Sequence, residues 1–261
     1  ADSLAQRAPA SLEPMPLLES PEEVQPLVRS LNELLARLGD AFDTQRLFAA
    51  DAAHELRTPL TALTLQIQIA RRAESLEERA VALDRLEQGV KRATRLVQQL
   101  LTMARLDPDA ARPATAIDLA SVAALVVEEK RPLAEQRGLS LSLASAPVTL
   151  CGQEEALRIL VANLVDNALR YTPPGGTVEV RVAPDGDHAR VEVADSGPGI
   201  PEEERERVFD RFYRGRQAPG GGSGLGLAIV RQIVTLHGGS IALDQSPSGG
   251  LLVSARFPVK A

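Results

Sequence analysis

The stretch Asp51-Ala-Ala-His54-Glu55-Leu56-Arg57-Thr58-Pro59-Leu60-Thr-Ala-Leu63-Thr-Leu-Gln-Ile67-Gln-Ile-Ala70 decides how the N-terminal part of this chain folds. Leu56, Leu60, Leu63, Ile67 and Ala70 recur in steps of three and four, which draws one apolar stripe along a helix. An earlier stripe runs Val24, Leu27, Leu31, Leu34, Leu38, Ala41, and a later one runs Leu83, Leu86, Val90, Ala93, Val97, Leu100, Ala104. These are heptad-like seams, and such a helix needs a partner helix. The polar stretch Arg71 to Arg79 between the last two seams predicts a turn, and so an antiparallel hairpin. One hairpin cannot cover its own stripes. Pairing two copies into a dimeric four-helix bundle does so, and the alternative is a monomeric hairpin packed on the rest of the chain.

Periodicity changes after residue 107. Asp107-Pro108-Asp109 through Arg112-Pro113 reads as a linker. Beyond it, helical stretches near 120–136, 153–170 and 224–237 alternate with strand-like runs. Those runs are Leu139–Leu143, Thr177–Val182, Ala189–Ala194, Ser240–Leu243 and Leu251–Phe257. The mixture predicts an α+β chain whose second part is a two-layer α/β sandwich. Residues 1–21 carry Pro9, Pro14, Pro16 and Pro21 with little periodicity and read as a connector.

Whole-chain numbers narrow the function classes. The 261 residues suffice for one large or two modest domains, and 44% hydrophobic with 25% charged residues is ordinary for a globular protein. A net charge of -6 argues against a general nucleic-acid binder. Lysine occurs only at Lys91, Lys130 and Lys260, so phosphate contacts would fall to arginine. The single cysteine, Cys151, excludes an intramolecular disulfide, and its neighbours Val148 and Leu150 predict a small buried residue. No apolar run is long enough to cross a bilayer, and no signal-peptide pattern is visible. The start at Ala1 suggests a piece of something longer.

Four stretches carry chemistry. Glu55 adjoins His54, and a carboxylate there can take the ring proton and sharpen the other nitrogen as a nucleophile. Pro59 inside the same helical pattern predicts a bend just past the histidine. In Asn163-Leu-Val-Asp-Asn167-Ala-Leu-Arg170-Tyr171, spacing of four sets two amides on one helical face. Amide oxygens suit Mg²⁺, and Arg170 adds charge on the same side. Asp195-Ser-Gly197-Pro-Gly199-Ile200 follows a strand-like run, where the carboxylate can accept a hydrogen bond from an exocyclic amine such as adenine's. Finally, Gly220-Gly-Gly222-Ser-Gly224-Leu225-Gly226 opens a helix, and free N–H groups at a helix start can cradle phosphate. A dinucleotide fold is excluded because these glycines follow a long polar loop rather than the first strand of a βαβ unit. His188 and His237 read as structural.

In this order and spacing the motifs resemble those of the sensor histidine kinases of bacterial two-component systems. His54–Leu60 resembles the H box, Asn163–Tyr171 the N box and Asp195–Gly199 the first glycine box. Val208–Tyr213 resembles the F box and Gly222–Gly226 the second glycine box. The resemblance covers about residues 22–261. It implies ATP-dependent phosphorylation of His54, transfer to an aspartate of a response-regulator receiver domain, and Thr58 orienting water in the reverse, phosphatase direction. It makes Glu55 the general base, Asn167 the Mg²⁺ holder, with Asn163 and Arg170 near the phosphates, and the nucleotide domain a Bergerat (GHKL-like) sandwich. Asp195 would read adenine, with Tyr171 and Ile200 against the ring. Residues 201–223 would form an ATP lid from which Arg211, Arg214 or Arg216 reaches the γ-phosphate.

The implied divisions are a partial HAMP relay at 1–40, the phospho-acceptor hairpin at 41–107 and the ATP domain at 108–261. The expected setting is a homodimer on the inner face of a bacterial membrane, anchored by a helix preceding Ala1, without direct nucleic-acid contact. The competing readings are an ATPase of the same nucleotide fold and a nucleotide-binding scaffold without phosphorylation. The His54 motif argues against the first, and the intact Asn167, Asp195 and glycine stretches argue against the second.

Overall fold

The computed structural model describes residues 24–106, 115–215 and 222–259. The expected connector at 1–21, the linker at 107–113, Arg216 and the first two glycines of the Gly220 run lie outside the described residues. The chain divides into two units, Ala1–Thr61 and Ala62–Ala261.

Helix α1 runs Gln25–Arg72 and crosses that division. Pro59 lies within it and does not end it, although the missing N–H deprives the Glu55 carbonyl of its helical donor. One turn on, the Thr61 hydroxyl donates to the Arg57 carbonyl at 2.9 Å. In the first unit, Leu27 is 69% exposed and Leu34 62%. That is the uncovered seam expected of a helix without its partner.

The residues 73–75 separate α1 from α2, Leu76–Arg105. Here the turn is shorter than the polar stretch suggested, because Ser75 starts the next helix as its N-cap, accepting from the Glu78 N–H at 3.0 Å. Glu78 in turn accepts the Glu74 N–H, just before the cap, at 3.1 Å. Gly89 lets the helices of the hairpin come close, since a Cβ there would sit 2.6 Å from Leu63 Cδ2.

The remaining elements are β1 (Thr115–Asp118), α3 (Leu119–Gln136), β2 (Ser140–Ser145), β3 (Thr149–Gly152) and α4 (Glu154–Tyr171). They continue with β4 (Thr177–Asp185), β5 (His188–Asp195), α5 (Gly226–Leu236), β6 (Ser240–Gln245) and β7 (Leu251–Pro258). The main sheet has the order β2-β4-β5-β7-β6. Its β2–β4 pair is parallel and the other pairs are antiparallel.

Alternation along the strands makes two unlike faces. Val178, Val180, Val182, Val191, Val193, Val253, Ala255 and Phe257 are buried, under α3, α4 and α5. The intervening residues are charged or polar and pair across that outer face. Arg190 meets Glu192 at 3.3 Å and Arg256 meets Asp185 at 3.1 Å. This is the expected two-layer sandwich.

Two strands escaped the pattern. β1 and β3 are four residues each and pair only with one another, too short for alternation to register. Their pairing also corrects the expectation for Cys151. Leu150 and Gly152 turn inward, so period two turns Cys151 outward, and it is exposed.

His237 holds the sandwich together. Its Nδ1–H donates to the Ile233 carbonyl at 2.8 Å and its Nε2 accepts the Gln153 N–H at 3.1 Å, joining the end of α5 to the start of α4. Its ring meets Phe257 edge-on, with centroids 5.9 Å apart. His188 opens β5 beside Asp187, at 2.5 Å. Both fit structural roles.

Candidate functional site

The site grows from the packing of α4 on α5. Buried Leu160, Val161, Leu164, Val165, Ala168 and Leu169 anchor α4, which turns the intervening Asn163, Asn167 and Arg170 toward the opening of α5. Gly226, the first residue of α5, lies directly against the amides. A Cβ there would stand 3.3 Å from Asn163 Oδ1 and 3.4 Å from both amide atoms of Asn167. Asn163 spends its Nδ2 on the Ile159 carbonyl, at 2.8 Å, which leaves Oδ1 available. Asn167 makes no side-chain hydrogen bond among the described residues. Two hard oxygen donors therefore face the start of a helix with free N–H groups, a donor set suited to Mg²⁺ and phosphate.

Gly222 completes this end. Its hypothetical Cβ would lie 3.0 Å from an Arg170 guanidinium nitrogen and 3.8 Å from the Tyr171 hydroxyl. Burial is the main influence on Arg170, pushing its guanidinium down from its ordinary value.

At the other end Asp195 closes β5, only 6% exposed. Its Oδ1 accepts the Gly197 N–H at 2.8 Å and the Leu251 N–H at 3.1 Å, whereas no hydrogen bond reaches Oδ2 among the described residues. Burial, the largest influence, raises its pKa, opposed by those two N–H donors. Gly197 and Gly250 are required by close approach. A Cβ on Gly250 would stand 2.3 Å from Asp195 Oδ1, and one on Gly197 2.9 Å from the Tyr171 carbonyl. Ile200 is half-buried just beyond. Gly250 and Leu251 were missed from the sequence, because a glycine pair before a strand reads as an ordinary turn.

The segment between these ends is held at its base. Gly224 takes φ +72 against the Phe212 backbone, and Phe212, itself at φ +62, donates its N–H to the Gly224 carbonyl at 3.1 Å. Arg207 stacks 4.6 Å from the Tyr213 ring centre. Buried Val208 and the Arg231–Phe209 contact seat the Val208–Tyr213 stretch against α5. Arg211 and Arg214 are exposed on this segment. Leu225 is fully buried and Ser223 accepts the Leu225 N–H at 3.2 Å.

The structure thus brings together Asn163, Asn167, Arg170, Tyr171, Gly222, Gly224 and Gly226, and places Asp195 with Gly197. His54 lies in the first unit, exposed, as is Thr58 one turn later. Glu55 is half-buried, and no hydrogen bond joins it to His54 among the described residues. Among the described residues no helix is long and apolar enough to cross a membrane.

Known families match both parts. Residues 44–109 match the His Kinase A (phospho-acceptor) domain, and residues 152–261 match the histidine kinase-, DNA gyrase B- and HSP90-like ATPase. The chain is 42% identical over 256 residues to the sensor protein kinase PmrB of Pseudomonas aeruginosa, covering 97% of this chain and 54% of the relative. It is 40% identical over 252 residues to the sensor protein QseC of Escherichia coli K12, covering 95% and 55%. It therefore spans about half the length of the curated relatives it matches. The solved mycobacterial sensor histidine kinase MprB shares 35% identity with a TM-score of 0.50, over 56% of this chain and 97% of that one. With both domain matches in sequence order and this relative covered nearly end to end, the chain belongs to the sensor histidine kinases of bacterial two-component systems.

Proposed function

We propose that this chain binds Mg²⁺-ATP in the α4–α5 site, phosphorylates His54, and passes the phosphoryl group to an aspartate of a response-regulator receiver domain. The observation that carries this reading is the set Asn163, Asn167, Arg170 and Gly226 at one end of the site and Asp195 at the other. The spacing suits a nucleotide laid with phosphates over the start of α5 and adenine against Asp195. Asp195 Oδ2 accepts from the adenine amine, and Tyr171 and Ile200 flank the ring. Asn167 and Asn163 offer oxygen to Mg²⁺, which neutralises phosphate charge when bound.

The transfer asks little covalent chemistry of the protein beyond a positioned nucleophile. One ring nitrogen of His54 attacks the γ-phosphorus while the bond to the bridging oxygen breaks and ADP leaves. Glu55 receives the proton from the other ring nitrogen, and its half-buried place on the adjacent helical position suits that task. Thr58, one turn from His54 and equally exposed, orients water for dephosphorylation of the regulator. Arg211 and Arg214 lie on the segment that reaches the γ-phosphate.

The uncovered seams of α1 and α2 support a homodimer whose four helices cover one another. The relatives' greater length supports an anchored inner-membrane protein of which this is a cytoplasmic portion. Residues 1–40 fit a partial HAMP relay in that scheme.

Incubation with γ-labelled ATP and Mg²⁺ tests the reading. Acid-labile, base-stable label on the wild type, absent from His54→Ala and Asn167→Ala, supports it. Label that survives His54→Ala overturns the acceptor assignment.

A further inference from the structure

The hairpin helix α2 also reaches the nucleotide site. Gln99 accepts a hydrogen bond from the Ser223 hydroxyl at 2.7 Å, inside the glycine loop. Ser223 is the same residue whose oxygen accepts the Leu225 N–H, so α2 touches the turn that opens α5. Further along, the Gln232 amide of α5 donates to the Leu106 carbonyl, and Met103 and Leu106 are buried. One turn before Gln99 on the same face stands Arg95, exposed and without an ion pair or hydrogen bond among the described residues.

Arg170 is half-buried and likewise makes no hydrogen bond among the described residues. It makes no ion pair among the described residues, and Asp166, the acid on its own helix, is taken by Lys130 at 2.8 Å. After burial, which dominates, and the opposing influence of Tyr171, the Arg95 charge is the next to press on Arg170. Arg95, one turn from the Gln99 that meets Ser223, and Arg170, 3.0 Å from where a Gly222 Cβ would stand, thus flank the Gly222–Ser223 turn from two helices. Like charges so placed repel each other, and an anion seated between them turns that repulsion into attraction to both.

We propose that Arg95 is a phosphate-binding residue of the nucleotide site, facing the same terminal phosphates as Arg170, while Gln99 fixes the glycine loop beneath them through Ser223. Bound polyphosphate then fastens α2 to the glycine loop, and adenosine alone does not. This rests on the nucleotide reading given above.

The test measures binding to the full chain of a non-hydrolysable ATP analogue with Mg²⁺, and separately of adenosine. Wild type, Arg95→Gln and Arg170→Gln are compared. Arg95→Gln is expected to weaken the analogue about three- to tenfold, between an exposed ion pair and a charge-assisted hydrogen bond to phosphate. Adenosine affinity stays unchanged, and the analogue slows amide exchange in residues 95–106 of the wild type but not of Arg95→Gln. Unchanged analogue affinity in Arg95→Gln, alongside a loss in Arg170→Gln, overturns the role of Arg95 and leaves the nucleotide site standing. Equal losses for analogue and adenosine assign Arg95 to folding and overturn the proposal. A wild type that binds neither compound overturns the nucleotide reading itself.

Discussion

Asp195 offers a perturbation in which fold and binding separate. Its Oδ1 satisfies two backbone donors, Gly197 N–H and Leu251 N–H, and its Oδ2, which accepts no hydrogen bond among the described residues, is the oxygen proposed to meet adenine. Asp195→Ala strands both donors in a buried place. Each unsatisfied donor costs about 1–3 kcal/mol, so the variant should lose about 2–6 kcal/mol, less whatever an entering water restores. Asp195→Asn keeps an oxygen at Oδ1 and puts an NH₂ where Oδ2 was. Stability is then largely retained, while the acceptor for the adenine amine becomes a donor. Loss of one charge-assisted hydrogen bond, about 1.5–3 kcal/mol, weakens ATP binding about ten- to hundredfold.

The pH dependence follows from burial. The Asp195 pKa is raised above its ordinary value of 3.8, so between 3.8 and that raised value the folded chain holds a proton that the unfolded chain has released. Wild-type stability relative to Asp195→Asn should therefore fall as pH rises through that window. ATP binding should weaken as pH falls through the raised value, because protonation fills the acceptor. Thermal unfolding from acid to neutral pH, paired with calorimetric ATP titration, measures both. Wild-type ATP affinity in Asp195→Asn, or a stability difference from wild type that grows in the opposite sense with pH, would refute the assignment.

Gly224→Ala forces a side chain into φ +72 with its Cβ 2.5 Å from the Phe212 carbonyl carbon. Left-handed strain of about 1–2 kcal/mol and overpacking of about 1–3 kcal/mol should loosen the Phe212–Gly224 contact. ATP affinity, read by titration, then drops at least about tenfold. Pro59→Ala returns a donor to the Glu55 carbonyl and removes a mid-helix penalty of about 3 kcal/mol. Circular dichroism melts should show a more stable α1, with nucleotide affinity unchanged. His237→Ala removes two hydrogen bonds and an edge contact with Phe257, a loss of about 2–4 kcal/mol. It should lower the melting temperature while leaving ATP affinity at low temperature intact.

The long helices were legible because their seams repeat over many turns, and the five main strands because each runs for six residues or more. β1 and β3 offered only four residues each, and the outward face of Cys151 depends on their pairing, which no local pattern encodes. The amide pair Asn163 and Asn167 could be placed on one face from spacing alone. Its apposition to Gly226 could be expected only from the resemblance, since it depends on how α4 crosses α5. Contacts across long separations were invisible: the Leu251 N–H on Asp195, Gln99 on Ser223, and the Phe212 N–H on Gly224. In each, one partner is a backbone group or a common polar residue with no sequence signature.

The central claim is that His54 carries the phosphoryl group, and its location can be read from one peptide. Trypsin cutting after Arg46 and Arg57 releases Leu47–Arg57, which holds His54 and contains no serine, threonine or tyrosine. After reaction with Mg²⁺-ATP and digestion at neutral to alkaline pH, tandem mass spectrometry should find phosphate on this peptide, on the His54 ring. Phosphate on a serine, threonine or tyrosine elsewhere, with Leu47–Arg57 unmodified, would contradict it.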